Sequence, residues 1–274
     1  VHYAIPHAVS AYLARQICPR AFPTITTLHG TDTRLVGLDP SYRPITRFSL
    51  EQSDGVTAVS RYLAESTQAD FALDRPIAVL YNFIDTARFR RRALPPCFRE
   101  QFAAPQERLL VHLSNMRPVK RLTDIVRAFA RIQRAVPARL VLVGDGPDRP
   151  EAERLACELE IADRVHCPGN LSRVENVLAV ADLFLLASST ESFGLAALEA
   201  LACEVPVVGT DIGGVPEVVE HGVTGLLVPP QDPDALAEAA LQLLRDEPRR
   251  RAFAAAGRER AVTRFGIDAG LEAY

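Results

Sequence analysis

The sequence lacks tryptophan, and aromatic residues make up only 7% of its 274 residues; with 48% hydrophobic and 24% charged residues it has the composition of a soluble globular protein. It also lacks an excess of either charge: the formal net charge is −3, which gives no sign of a nucleic-acid-binding face. No uninterrupted apolar run approaches the roughly 18 residues of a membrane span. No CxxC occurs, and the five cysteines are scattered at 18, 97, 157, 167 and 203. An odd, dispersed set argues for reduced thiols in a cytoplasmic protein rather than a disulfide framework. His166 and Cys167 are adjacent, but no second pair completes a metal-ligand spacing, so buried strand residues are expected there rather than zinc ligands. There is no signal-peptide layout, no initiator methionine, no low-complexity segment and no repeat. Both ends break off inside a structural pattern, so the chain is expected to be a piece of a longer protein.

What is present is alternation. "TITTLHG" (24–30), "GVTAVS" (55–60) and "PIAVLYN" (76–82) read as strands, separated by helical periods near 7–17, 45–53 and 60–72. A basic, proline-containing run, "RFRRRALPPCFRE" (88–100), reads as a solvated connector. The pattern then restarts with "RLLVHLSN" (108–115), "ARLVLVG" (138–144), "RVHCPG" (164–169), "ADLFLLAS" (181–188) and "VPVVGTD" (205–211). Between them, "KRLTDIVRAFARIQRAV" places Leu122, Ile125, Val126 and Phe129 on one helical face. Near-continuous aliphatic strands, each followed by a helix, predict an α/β protein with two doubly wound parallel sheets. The expected division is a partial first domain at 1–92, a linker at 93–106, a second domain at 107–263 and the start of a further helix at 264–274.

In open parallel sheets ligands collect at the carboxyl ends of the strands, so the residues after each strand are the candidates. "ADLFLLASSTESFGLAALEALAC" reads as a strand, a Ser/Thr-rich loop and a helix beginning near Phe193, with Glu191 and Glu199 eight residues apart. If helical throughout, that interval rises about 12 Å, comparable to the span from a sugar to the ribose of a nucleotide-sugar. Amide groups at 193–195 would suit an anion or a sugar hydroxyl. The plainer alternative makes Glu191 a first-turn charge and Glu199 a solvated helix face, although Leu198, Ala200 and Leu201 leave little polar face around it. In "HLSNMRPVKRLTD" (112–124), Arg117, Lys120 and Arg121 precede a helix. Cations there oppose the helix dipole, whereas a bound diphosphate would account for them; three surface cations are the alternative. His29 in "LHGTD" (28–32) could touch a substrate hydroxyl or serve as a structural hydrogen-bonder. The glycines of "VGDGP" and "GTDIGGVPE" do not form GxGxxG and read as tight strand-to-helix turns, with Pro216 and Glu217 starting a helix.

These segments together resemble a known family. "ESFGLAALE" (191–199) is similar to the E-x7-E motif of the retaining GT-B glycosyltransferases of family 4, and "GTDIGGVPEVVEHGVTGLLVPPQDPDALAEAALQLL" (209–244) to their C-terminal signature. "RPVK" resembles their diphosphate-binding segment. Within the family, "VHYAIPHAVSAYLA", "TLHGTD", "RFSLEQSDGVTAVS", "YNFIDTARF" and "SNMRPVKR" look most like the branch that transfers N-acetylglucosamine to L-malate at the start of bacillithiol biosynthesis.

The resemblance implies two Rossmann-like domains with a cleft between them, and transfer from UDP-GlcNAc with retention of configuration and no cofactor or required metal. Carried over by motif, Lys120 and Arg117 would stabilise the departing diphosphate, Glu191 would hold the donor sugar and Glu199 the ribose. Asn115, Ser192, Phe193, Gly194 and Leu195 would complete the donor site, and His29 would lie beside the sugar. Tyr3, Thr31 and Arg47 are the candidates for the acceptor, whose two carboxylates need hydroxyl or cationic partners. The expected partners are these small molecules, with neither nucleic acid nor membrane, and a homodimer is an assembly the resemblance allows. No carboxylate pair stands out as nucleophile and general acid, as a retaining hydrolase would need; a front-face transfer needs only positioning and electrostatics from the protein. Two departures bear on this. The family often has Gly-Arg where Ser114-Asn115 stands, which leaves Arg117 as the substitute, and its first strand and glycine-rich loop would precede Val1. Other acceptors (inositol phosphate, a lipid, a polysaccharide) and an inactive UDP-sugar-binding fragment are the competing readings.

Overall fold

The alternation of apolar runs and helical periods is present along the whole chain in the computed structural model, which describes residues 1–20 and 22–273. Packing divides it into two units. The first holds Val1–Asn82, Glu191–Phe193 and the last residues from Gly270; the second holds Phe83–Thr190 and Gly194–Ala269.

In the first unit, β1 (Ile25–Leu28), β2 (Gly55–Ala58) and β3 (Ala78–Val79) form a parallel sheet in that order, with Ile25 opposite Gly55 and Leu28 opposite Ala58. His2 adds a parallel bridge to Thr27. The helices are α1 (Val9–Ile17), α2 (Arg43–Gln52) and α3 (Arg61–Phe71). The first turn of α3 is satisfied by Ser60, whose Oγ accepts from Leu63 N–H, and Ala72 ends the helix in the left-handed region at φ 47°. Leu28, Leu50, Val56, Leu63 and Phe71 are among its buried apolar side chains. The threonines of β1 are accommodated by pairing: Thr26 Oγ1 lies 2.7 Å from Ser53 Oγ, and Thr57 Oγ1 donates to Thr27 Oγ1 at 2.9 Å.

The second unit carries β4 (Arg108–Leu113), β5 (Ala138–Val143), β6 (Val165–Gly169), β7 (Leu183–Leu186), β8 (Val207–Thr210) and β9 (Gly225–Val228). All pair in parallel, in the order β6-β5-β4-β7-β8-β9. Helices α4 (Pro96–Glu100), α5 (Leu122–Ala135), α6 (Arg149–Glu158), α7 (Val174–Val180), α8 (Leu195–Ala202), α9 (Val215–Val218), α10 (Pro233–Arg245), α11 (Glu247–Phe265) and α12 (Ile267–Ala273) connect and follow the strands, α12 running into the last residues of the first unit. β7 and β8 are buried at every position, which requires cover on both faces. One face buries Leu110, Leu140, Leu142, Leu183, Leu185 and Val208 under α5 and α10, using the predicted stripe Leu122, Ile125, Val126 and Phe129. On the other, α8 packs on β7 and β8.

Three features differ from the sequence reading. β9 was not among the expected strands. The unit changes after Asn82, not at the connector: Ile84 N–H donates to Phe265 O at 2.8 Å, and Arg258 donates to Thr86 O and Phe89 O at 3.0 and 2.7 Å. His166 is exposed on the edge strand β6, its ring against Phe102, so it is not a buried strand residue.

At the amino ends of β4 and β7, Asp182 accepts from the Leu109 N–H at 2.8 Å, Arg99 at 3.0 Å and Arg250 at 3.2 Å. Glu247 accepts from Arg108, Arg250 and Arg251 in the same cluster. Arg250 is buried, so its guanidinium depends on these carboxylates to offset desolvation.

Candidate active site

The strand order makes β4 the first strand of the second unit and β7 its neighbour after the chain has run outward to β6. Strand order reverses at this pair, and a crevice is expected outside its carboxyl ends. The two motifs singled out in the sequence leave the sheet at these ends: "SNMRPVK" follows β4, and "ASSTESFG" follows β7. They are joined directly, because Ser189 N–H donates to Val119 O at 2.8 Å.

The basic loop is held closely. Met116 is buried and takes a left-handed φ of 44°; its carbonyl accepts from Asp148 N–H at 3.0 Å. Gly144 and Gly146 face it, and a Cβ on either would lie 1.8 Å from Ser114 O or 2.1 Å from Asn115 O. The close approach at "VGDGP" is thus made by the protein's own backbone. Asn115 and Arg117 are exposed, and Lys120 ends the short turn Pro118–Lys120, half-buried. Arg121 is used differently from its neighbours: its guanidinium grips Asp124 at 2.5 and 3.2 Å, in the first turn of α5.

α8 starts later than the sequence suggested. Gly194, at φ 97°, is its N-cap and Leu195 its first residue, so the first-turn amides are those of Leu195, Ala196 and Ala197 rather than 193–195. Glu199 therefore lies one turn into the helix, and the 12 Å rise of a continuous helix does not apply. Its carboxyl group is largely enclosed. Burial pushes its pKa up to about 7, with Arg88 pulling it down and Glu175 pushing it up. Glu175 is itself paired with Arg88 at 3.1 Å.

This has a consequence for stability. The unfolded chain releases the Glu199 proton near the ordinary 4.5 and the native protein near 7. Between those values the native state binds more protons, so stability falls as pH rises through the window. Glu199→Gln removes that dependence. The variant's melting temperature, measured with no ligand, should match the parent's at pH 5 and exceed it at pH 8. An equal difference at both pH values would contradict the assignment.

In the first unit, "LHGTD" is organised by a buried carboxylate. Asp32 accepts from Ala4 N–H at 2.7 Å, Gly30 N–H at 2.9 Å and His29 N–H at 3.3 Å. His29 Nε2 lies 2.9 Å from His2 Nδ1, and its ring packs on Tyr3 at 4.9 Å between centroids. Burial and the neighbouring His2 lower its pKa, against Asp32, so the imidazole is neutral at pH 7. Glu191, Ser192 and Phe193 group with this unit. Ser192 O accepts from Ser60 Oγ at 2.6 Å, Phe193 packs near Tyr81, and a Cβ on Gly30 would meet Ser192 Oγ at 1.7 Å.

The acceptor candidates divide. Tyr3 and Thr31 line one pocket of about 490 Å³, with Ile5, Val9, Tyr42 and Ile45, and its lining carries no lysine or arginine. Arg47 is not with them: it is paired to Glu51 one turn along α2 at 2.7 Å and faces a separate hollow beside Leu73 and Asp74. Among the described residues no group of three or more His, Cys, Asp and Glu side chains is arranged to hold a metal, and no helix is long and apolar enough to cross a membrane.

The family model of the group 1 glycosyl transferases matches residues 97–260, and that of glycosyltransferase family 4 matches residues 1–88. The chain belongs to this glycosyltransferase family. An N-acetyl-alpha-D-glucosaminyl L-malate synthase of Bacillus anthracis is 45% identical over 274 residues, which is 100% of this chain and 72% of that one. A GDP-mannose-dependent alpha-(1-6)-phosphatidylinositol monomannoside mannosyltransferase of Mycobacterium tuberculosis (strain CDC 1551 / Oshkosh) is 34% identical over 240 residues, covering 84% of this chain and 62% of that one. Among solved structures, sucrose-phosphate synthase from Thermosynechococcus elongatus superposes with a TM-score of 0.84 at 26% identity, over 99% of this chain and 70% of the other. The glycosyltransferase thus has the GT-B type of parallel-sheet units, and its relatives differ in sugar and acceptor.

Proposed function

We propose that the protein transfers N-acetylglucosamine from UDP-GlcNAc to the hydroxyl of L-malate, with retention at the anomeric carbon. One observation carries the donor half of this reading: the basic loop after β4 and the Ser/Thr-Glu loop after β7 flank the switch point and are hydrogen-bonded to each other. A diphosphate there meets Lys120 and Arg117, and the first-turn amides of α8 add donors. Glu199, one turn further, takes the ribose hydroxyls, and Glu191, in the loop after β7, takes the sugar. In the proposed step the bond from the anomeric carbon to UDP breaks and the bond to the acceptor oxygen forms on the same face. The acceptor's proton passes to the leaving phosphate oxygen, so no protein nucleophile or metal is required. The acceptor half is supported by the 45% identity to a glucosaminyl malate synthase.

A second reading keeps the donor and changes the acceptor. It is favoured by the Tyr3–Thr31 pocket, which is mostly apolar and has no cation to meet a dicarboxylate. One assay separates the two: UDP release is followed with UDP-GlcNAc and either malate, inositol phosphate or a lipid-linked acceptor, with and without EDTA. The proposal expects release with malate, undiminished by EDTA, and a product of the corresponding mass. Release only with another acceptor would replace it, and UDP binding without release would mark a binding module.

A further inference from the structure

His112 has no part in the reading above, yet it is an imidazole enclosed in the central strand β4 directly before the basic loop. Its Nδ1 is 2.9 Å from Leu185 O, and its Nε2 is 2.8 Å from Ser114 Oγ. A carbonyl oxygen only accepts, so Nδ1 carries the hydrogen. Burial drives the His112 pKa down to about 4, opposed by the Leu185 bond and reinforced by the charge of Lys120. The ring is therefore neutral, its one proton is spent on Leu185, and Nε2 is a bare acceptor. Ser114 must then donate its hydroxyl hydrogen to Nε2, which aims the lone pairs of Oγ away from the ring. One of them accepts the Met116 N–H at 3.1 Å. That amide belongs to the left-handed residue at which the chain turns into Arg117 and the Pro118–Lys120 turn.

We propose that His112 is a positioning residue, acting through Ser114 and the Met116 amide to fix the loop that presents Arg117 and Lys120. The arrangement gives Ser114 a purpose of its own, where the family often has glycine. A fixed direction for Oγ holds one side of the Met116 turn, while Gly144 and Gly146 admit the loop's carbonyls on the other. The consequence for catalysis rests on the reading of this loop as the diphosphate site. Displacement of a catalytic cation by even 1 Å costs on the order of 100-fold in rate.

The test uses three substitutions chosen by what they can imitate. His112→Asn keeps a donor for Leu185 and withdraws the acceptor from Ser114. Ser114→Ala removes the hydroxyl. His112→Gln places an amide oxygen where Nε2 stood. Amide hydrogen exchange across 114–121 should quicken in His112→Asn and Ser114→Ala and stay near the parent rate in His112→Gln. Under saturating UDP-GlcNAc and malate, kcat should fall about 10- to 100-fold in the first two, with donor KM moved far less, and His112→Gln should recover most of it. The double variant His112→Asn/Ser114→Ala should be no worse than either single one, because both break one chain. Unchanged exchange, or additive losses in the double variant, overturns the relay. Quickened exchange with unchanged kcat overturns the diphosphate reading of the loop, and the catalytic consequence with it. Should His112→Asn fail to fold, Ser114→Ala alone decides the exchange result.

Discussion

Lys120→Ala should lower kcat by about 10²- to 10³-fold, the usual cost of removing one group that stabilises developing charge, while leaving the melting temperature close to that of the parent. Diphosphate departure concentrates negative charge on the leaving oxygens, and an ammonium group held in place gains most at that moment. The dipole of the following helix does not account for this lysine. α5 begins at Leu122, where a cation opposes the dipole, and the first turn is already served by Asp124 with Arg121. The measurement is steady-state kcat and donor KM side by side with thermal unfolding. A loss confined to KM would make Lys120 a binding group, and an unchanged kcat would remove it from the leaving-group role.

Gly144→Ala is the substitution expected to harm the fold most. The position combines a φ of +116° with a neighbour that cannot give way: an added Cβ would stand 1.8 Å from Ser114 O and 3.0 Å from Ser114 C, both backbone. Backbone strain and overpacking together cost about 2–5 kcal/mol, or roughly 10 °C in melting temperature for a unit of this size. Gly222 provides the comparison, since it has a φ of +79° and nothing within 4 Å. Gly222→Ala therefore incurs only the conformational penalty, about 1–2 kcal/mol. Equal melting temperatures for the two variants would show that the seat under the basic loop is soft.

The sequence displayed the parallel-sheet class plainly because β4, β5, β7 and β8 are aliphatic runs bounded by turn residues. β9 escaped because its apolar core, Leu226 to Val228, is short and opens with a glycine. Gly225 is there because a Cβ would lie 2.2 Å from Val207 O, a reason invisible without the neighbouring strand. α8 was started two residues early because Phe193 is apolar and continues the pattern, whereas the left-handed Gly194 is what begins the helix. Candidate residues on single segments stood out by type: Lys120 and His29 follow strands, and Glu199 lies in the helix after β7. Their supports did not. Asp32 and His112 act through backbone amides and hydroxyls brought together by folding, and the one available signal for His112 was a polar residue inside an otherwise apolar strand. Arg47 shows the converse, since a cation four residues before a glutamate on a helix is already committed.

The arginine–carboxylate cluster around Asp182 lies at the amino ends of β4 and β7, whereas the candidate ligand loops leave their carboxyl ends. The ion pairs that tie these strands and the loops proposed to take the donor thereby lie at opposite poles of one sheet. Loops at one pole can be exchanged in the course of divergence without disturbing the ion pairs that tie the strands at the other. A lineage built on this frame can vary its donor loops while those ion pairs stay in place.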